Sequence, residues 1–113
     1  VIDSYEFGTV VVDGARYEAD VIIFPDRVES NWWRKEGHKL QIEDLGTVLE
    51  YGPDVLLVGT GAHGVMEVPQ SVIETCQSRG IQVSVFRTAE AVERFNAYLA
   101  EGKKAVAALH LTC

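Results

Sequence analysis

The chain has 113 residues, 47% of them hydrophobic, and a formal net charge of −7 at pH 7. Such a length and apolar share can close one core without disulfides or a structural metal, so a single α/β domain over residues 1–113 is expected. The acidity opposes binding to nucleic-acid phosphates, no apolar stretch nears the roughly 20 residues that cross a bilayer, and the opening Val1-Ile2-Asp3-Ser4 lacks a secretion-signal pattern, so the expectation is a cytoplasmic protein with no nucleic-acid or membrane partner.

Residues 7–12 and 16–24 are rich in β-branched and aromatic types, and Asp13-Gly14 between them is a type I′ turn signal, which predicts an N-terminal hairpin. Pro25-Asp26 stops the second strand. The stretch from there to about Leu40 has no clear period, yet it gathers Trp32, Trp33, Arg34, Lys35, His38 and Lys39 into a local basic and aromatic patch. Adjacent residues of an extended segment point opposite ways, so one tryptophan is expected to be buried and the other at least partly exposed. An exposed tryptophan beside Arg34 has the composition of a partner-binding anchor.

From Ile42, the residues Leu45, Val48 and Leu49 recur at helical spacing, Glu43 and Asp44 suit a first turn, and Gly52-Pro53 ends a short first helix. Val55-Leu56-Leu57-Val58 reads as a buried strand. It leads into Gly59-Thr60-Gly61-Ala62-His63-Gly64, a literal G-x-G-x-x-G. Pro69 suits the first position of a second helix with Val72, Ile73 and Cys76 inward and Gly80 just past its end. Residues 81–86 form another strand. Thr88 is a candidate N-cap for a third helix whose apolar face is Ala91, Val92, Phe95, Tyr98 and Leu99, with Asn96 either solvated or a hydrogen-bonding clasp. Residues 105–111 are an almost wholly apolar strand, suited to a sheet interior covered on both faces. The hairpin either extends this sheet or forms a small one beside it.

A dinucleotide site needs a helix opening at the third glycine and an acidic residue after the next strand. Here Val65-Met66-Glu67-Val68 intervenes before Pro69, and Arg87 stands where the acid belongs, so no nicotinamide or flavin cofactor is expected. Two readings stay open. The glycines permit a tight strand exit with positive φ, or Gly59, Thr60 and Gly61 cradle a small anion with His63 and Arg34 as polar contacts. No G-x-S-x-G elbow is present, nothing beside Cys76 activates a thiolate, and Cys76 and Cys113 read as free thiols in a reducing compartment. The three histidines lack metal-ligand spacing, so no metal and no catalytic residue is assigned. His63 is the one acid–base candidate worth testing, and His110 reads as a satisfied, partly buried histidine.

Taken in order, Trp32-Trp33-Arg34, the helix ending at Gly52-Pro53, Val58-Gly59-Thr60-Gly61, Val68-Pro69, Thr88 with Ala91, Phe95-Asn96-Ala97 and Leu109-His110-Leu111-Thr112-Cys113 resemble the adipogenesis-associated, Mth-type domain family. The resemblance implies a compact, layered α/β domain with a mixed central sheet and three helices. It also implies a leaning toward protein partners, since animal relatives are linked to adipocyte differentiation and, in a mitochondrial branch, to respiratory complex I assembly. It supplies no catalytic residues.

The functional expectation is a non-catalytic interaction or assembly module. Its protein partner would meet a surface shared by Trp32, Trp33 and the glycine loop. The alternative is a small-anion-binding protein or an unrecognised enzyme using Thr60, His63 and Arg34 in an adjacent cleft. A homodimer through an exposed sheet edge is a further expectation.

Overall fold

A computed structural model describes residues 1–113. The chain opens with β1 (Ile2–Glu6), β2 (Thr9–Val12) and β3 (Ala15–Tyr17), an antiparallel meander that forms its own three-stranded sheet. Asp13 and Gly14 hold φ of 48° and 82°, as the expected type I′ turn between β2 and β3 requires.

The larger sheet holds β4 (Val21–Ile23), β5 (Val28–Glu29), β6 (Val55–Thr60), β7 (Gln82–Phe86) and β8 (Ala105–His110), in the order β5-β4-β8-β6-β7. β8 and β7 flank β6 in parallel, whereas β4 runs antiparallel to β8, so the sheet is mixed. Three helices join it: α1 (Gly46–Tyr51), preceded by a 3₁₀ turn over Ile42–Leu45, α2 (Gln70–Ser78) and α3 (Thr88–Ala100).

Strand alternation sorts the apolar residues into two cores. Val21, Ile23, Val55, Leu57, Ala105, Ala107 and Leu109 face α3 and the small sheet, packing with Ala91, Phe95, Ile2 and Val10. Ile22, Leu56, Val58, Val106 and Ala108 face the opposite way, onto Leu40, Leu45, Val48, Val72 and Cys76. That double covering explains why β6 and β8 are buried at every position. Asn96 is the clasp and not a solvated residue: its side chain accepts from the Ile2 N–H and donates to the Ile2 carbonyl, each at 2.8 Å, pinning β1 onto α3.

Several elements differ from the sequence expectation. The single strand over 16–24 is two strands in different sheets, broken at Glu18-Ala19-Asp20, because the Asp20 carboxylate turns away to accept the Leu111 N–H at 2.8 Å. β1 has no counterpart among the expected elements, since Asp3, Ser4 and Glu6 leave it few apolar residues. Pro69 is the N-cap of α2, with an extended ψ of 146°, and not its first helical residue. Thr88 is the first residue of α3 and not its cap: its hydroxyl is drawn inward to the sheet.

Candidate functional site

The parallel strands β6 and β8 end side by side, with Thr60 in register opposite His110. β6 is followed by α2 on one face, and α3 leads to β8 from the other, so the two strand ends open at the point where the connections diverge. Such a point is the usual place for a ligand crevice in an α/β sheet. Two irregular segments meet there, the glycine loop after β6 and the tryptophan segment. Leu40 donates to the Glu67 carbonyl at 2.9 Å, and Glu67 donates to the His38 carbonyl at 2.8 Å.

The glycine loop is closed on itself and on the end of the chain. Gly61 donates to Thr88 Oγ1 at 2.8 Å, Ala62 to the Thr112 carbonyl at 2.6 Å, and His63 and Val65 to the Cys113 carbonyl at 3.1 and 3.2 Å. Gly64 donates to Gly61 and Met66 to Thr60. Each glycine answers a local need. A Cβ on Gly59 would lie 2.8 Å from Leu109 and 2.9 Å from Thr88 Oγ1, one on Gly61 would overlap the Cys113 backbone, and Gly61 itself holds φ at +107°. The tight-exit reading therefore accounts for the motif, and an anion seated on these amides would have to displace partners already in place. The Thr60 hydroxyl, likewise, donates to the Phe86 carbonyl at 3.0 Å.

Arg34 is not part of a surface basic patch. It is 8% exposed, its guanidinium lies over the Trp32 ring, and its Nη2 donates to Asp20 Oδ2 at 2.7 Å and to the Gly37 carbonyl at 2.9 Å. His110, 5% exposed, brings Nδ1 to 2.8 Å from the same Asp20 oxygen. So short an approach requires a proton between the two atoms, which we assign to Nδ1. Burial by itself would raise the Asp20 carboxyl. Hydrogen bonds from His110, the Leu111 N–H and Arg34, with the Arg34 charge, nevertheless hold it below the usual aspartate value. Nearby, the Tyr5 hydroxyl donates to the Leu111 carbonyl at 2.8 Å, and burial followed by the Asp20 charge pushes that phenol up.

Two buried atoms of this cluster, Arg34 Nη1 and His110 Nε2, have no partner. The satisfied histidine expected at position 110 is thus only half satisfied, and its ring is flanked by that of His38, edge to face at 5.5 Å between centroids. Sequence reasoning singled out Arg34 but missed Asp20 and His110 as its partners. The available signal was the one histidine set in the otherwise apolar run 105–111; Asp20, with Glu18 two positions before it, does not stand out locally.

Trp33 is the exposed tryptophan, and Trp32, which should then be the buried one, is only partly so, packed against the core that holds Leu40 and Leu45. The Trp32 backbone N–H donates to the Asp20 carbonyl at 2.8 Å and its indole N–H to the Asp44 carbonyl at 2.9 Å, while Trp33 stands 75% exposed. Asp44 also accepts the N–H groups of Lys35 and Gln41, at 3.2 and 2.9 Å. Trp33 is therefore held in solvent by backbone fixed on both sides. The His63 ring lies 6.3 Å from that of Phe7, which is itself 60% exposed. Register brings Thr60 opposite His110, whose Nδ1 is 3.1 Å from Arg34 Nη2, and Arg34 lies over Trp32, so these residues share one strand end, whereas the ring contact of His63 is with Phe7.

The sequence matches, over residues 2–110, the model of a family described as protein of unknown function (DUF498/DUF598). The solved structure of the conserved hypothetical protein PH1505 from Pyrococcus horikoshii OT3 is 30% identical, covers 100% of this chain and 99% of its own, and superposes with a TM-score of 0.83. A protein solved as MT938 is 28% identical with a TM-score of 0.82, covering 100% and 98% of the two chains. A Bordetella pertussis protein described as a Mth938-like domain shares the fold at 21% identity, with a TM-score of 0.80 and coverage of 98% and 85%. This chain, with its mixed sheet, closed glycine loop and buried Asp20–Arg34–His110 cluster, belongs to the DUF498/DUF598 family of Mth938-like domains.

Proposed function

We propose that this protein is a non-catalytic interaction or assembly module that recognises a protein partner through the segment around Trp33. The observation that carries this reading is a bulky aromatic held in solvent between anchored neighbours, Trp32 on one side and Arg34 with Lys35 on the other. An aromatic fixed in advance loses little conformational entropy on binding, which is the property of an interface anchor. We place the module in the cytoplasm: Cys76 and Cys113 are both unpaired, as thiols in a reducing compartment are, and no helix is long and apolar enough to cross a membrane. Affinity capture from the native host with wild type and Trp33→Ala tests it, with circular dichroism to confirm folding. Loss of a captured partner in the folded variant is the expected result. Equal capture by both proteins would refute it.

A second reading rests on a different observation, the two unmatched buried atoms Arg34 Nη1 and His110 Nε2. A small anionic ligand or substrate with an acceptor for the guanidinium and a polar group for the ring would satisfy both. A thermal shift on adding inorganic phosphate or a nucleotide, accompanied by movement of the His110 ring-nitrogen resonances, would favour this reading. Unchanged resonances at saturating phosphate and nucleotide would dismiss it.

A further inference from the structure

The two edges of the larger sheet are built differently. β5 is two residues long, and its Glu29 carboxylate lies 3.8 Å from Arg27, so that edge is short and charged. β7 has five residues, Gln82-Val83-Ser84-Val85-Phe86, with no charge, no proline and an unbroken register against β6. On a chain of net charge −7, this is an uncharged stretch of backbone with one free side.

The direction of its groups follows from the ladder. Gln82 donates to the Asp54 carbonyl at 3.0 Å, and the Phe86 carbonyl accepts from Thr60, so Gln82, Ser84 and Phe86 turn their polar groups toward β6. Alternation then turns the N–H and C=O of Val83 and Val85 outward. Side chains alternate too: Val83 packs on the α2 side, and Val85 shares that face but is 39% exposed.

We infer that β7 pairs antiparallel with β7 of a second copy of this chain, about a two-fold axis at Ser84. In that register Val83 lies opposite Val85 of the second copy, and each pair exchanges both outward N–H···O=C bonds. Ser84 faces its own counterpart in a non-hydrogen-bonded pair. The four valines close into one apolar cluster that covers Val85, and the alignment is self-complementary, as an isologous interface must be. The net charge opposes the encounter at long range, so association strengthens as salt rises.

Sedimentation equilibrium between about 10 µM and about 1 mM protein reads the association directly. The expected result is a monomer–dimer equilibrium whose dissociation constant rises at least ~10-fold in Val85→Lys, because each ammonium would then stand opposite Val83 of the other copy inside the apolar cluster, with the second ammonium its diagonal neighbour. Ser84→Cys supplies an independent arm: mild oxidation should give a disulfide dimer, whereas Gln82→Cys, placed opposite Phe86 of the second copy, should not. A monomer across the whole range, a dimer unaffected by Val85→Lys, or equal cross-linking at both cysteines would overturn the proposal. Should Val85→Lys fail to fold, the two cysteine variants decide.

Discussion

The glycine loop and the tryptophan segment lie against each other at one end of the larger sheet, and their polar groups are in opposite states. From Gly61 to Met66 every backbone N–H is engaged, chiefly by the end of the chain and by Thr88. A few residues away, Arg34 and His110 each keep one buried atom unmatched, and Trp33 extends into solvent. The difference separates a motif that serves close packing from a segment with binding capacity left over. A glycine pattern marks where backbone comes near backbone. Unsatisfied polar atoms and displayed aromatics mark where something else could be recognised.

The largest expected effect comes from forcing the loop open. Gly61→Ala places a methyl group against the Cys113 backbone at a φ of +107°, so strain and overlap together should cost about 3 kcal/mol, read as a fall in Tm of ~10 °C. A variant of wild-type stability would mean that the end of the chain is not fixed against the loop.

Asp20→Ala should cost a similar amount, about 3 kcal/mol in chemical denaturation, because it leaves Arg34 buried without its counter-charge. The pH dependence has a definite sign. The Asp20 pKa is lowered in the folded state, so its contribution is complete above the unfolded value, near 3.9, and is lost as pH falls through the folded value. Asp20→Asn should therefore flatten the acid limb of the stability profile. An unchanged acid limb would show that another group controls it.

Thr88→Val comes next, at about 2 kcal/mol by thermal unfolding. Its hydroxyl accepts from Gly61 at 2.8 Å and donates to the His110 carbonyl at 2.6 Å, and a methyl group leaves both without a partner. Asp44→Ala sharpens the comparison from the other side. It removes the acceptor for Lys35 and Gln41, so partner capture should weaken severalfold even though Trp33 is untouched. Trp33→Ala should be the mildest of all on stability, within ~0.5 kcal/mol, as befits an exposed position away from structural bonds.

Much of the fold was legible in the sequence, and the reasons are local. The unbroken apolar runs at 55–58 and 105–109 report two covered faces, and Asp13-Gly14 reports its own turn conformation. Elements whose stability comes from distant partners were not legible. β1 is held by Asn96, 94 positions away, and the break after β3 exists because Asp20 reaches Leu111, 91 positions away. The candidate site shows the same division. That one tryptophan would be exposed followed from strand geometry, but the pairing of Asp20, Arg34 and His110 depends on three segments meeting, and no local pattern encodes it. The glycine motif left two readings open for a related reason: the same spacing suits a bound phosphate or a close-packed chain end.

Amide and indole hydrogen exchange, read residue by residue on the native protein, tests the contrast most directly. The Ala62, His63, Val65 and Met66 amides and the Trp32 indole N–H should be protected, and the Trp33 indole should exchange at once. Fast exchange through the loop together with a protected Trp33 indole would contradict the account, because the open surface would then be the loop and the closed one the tryptophan segment.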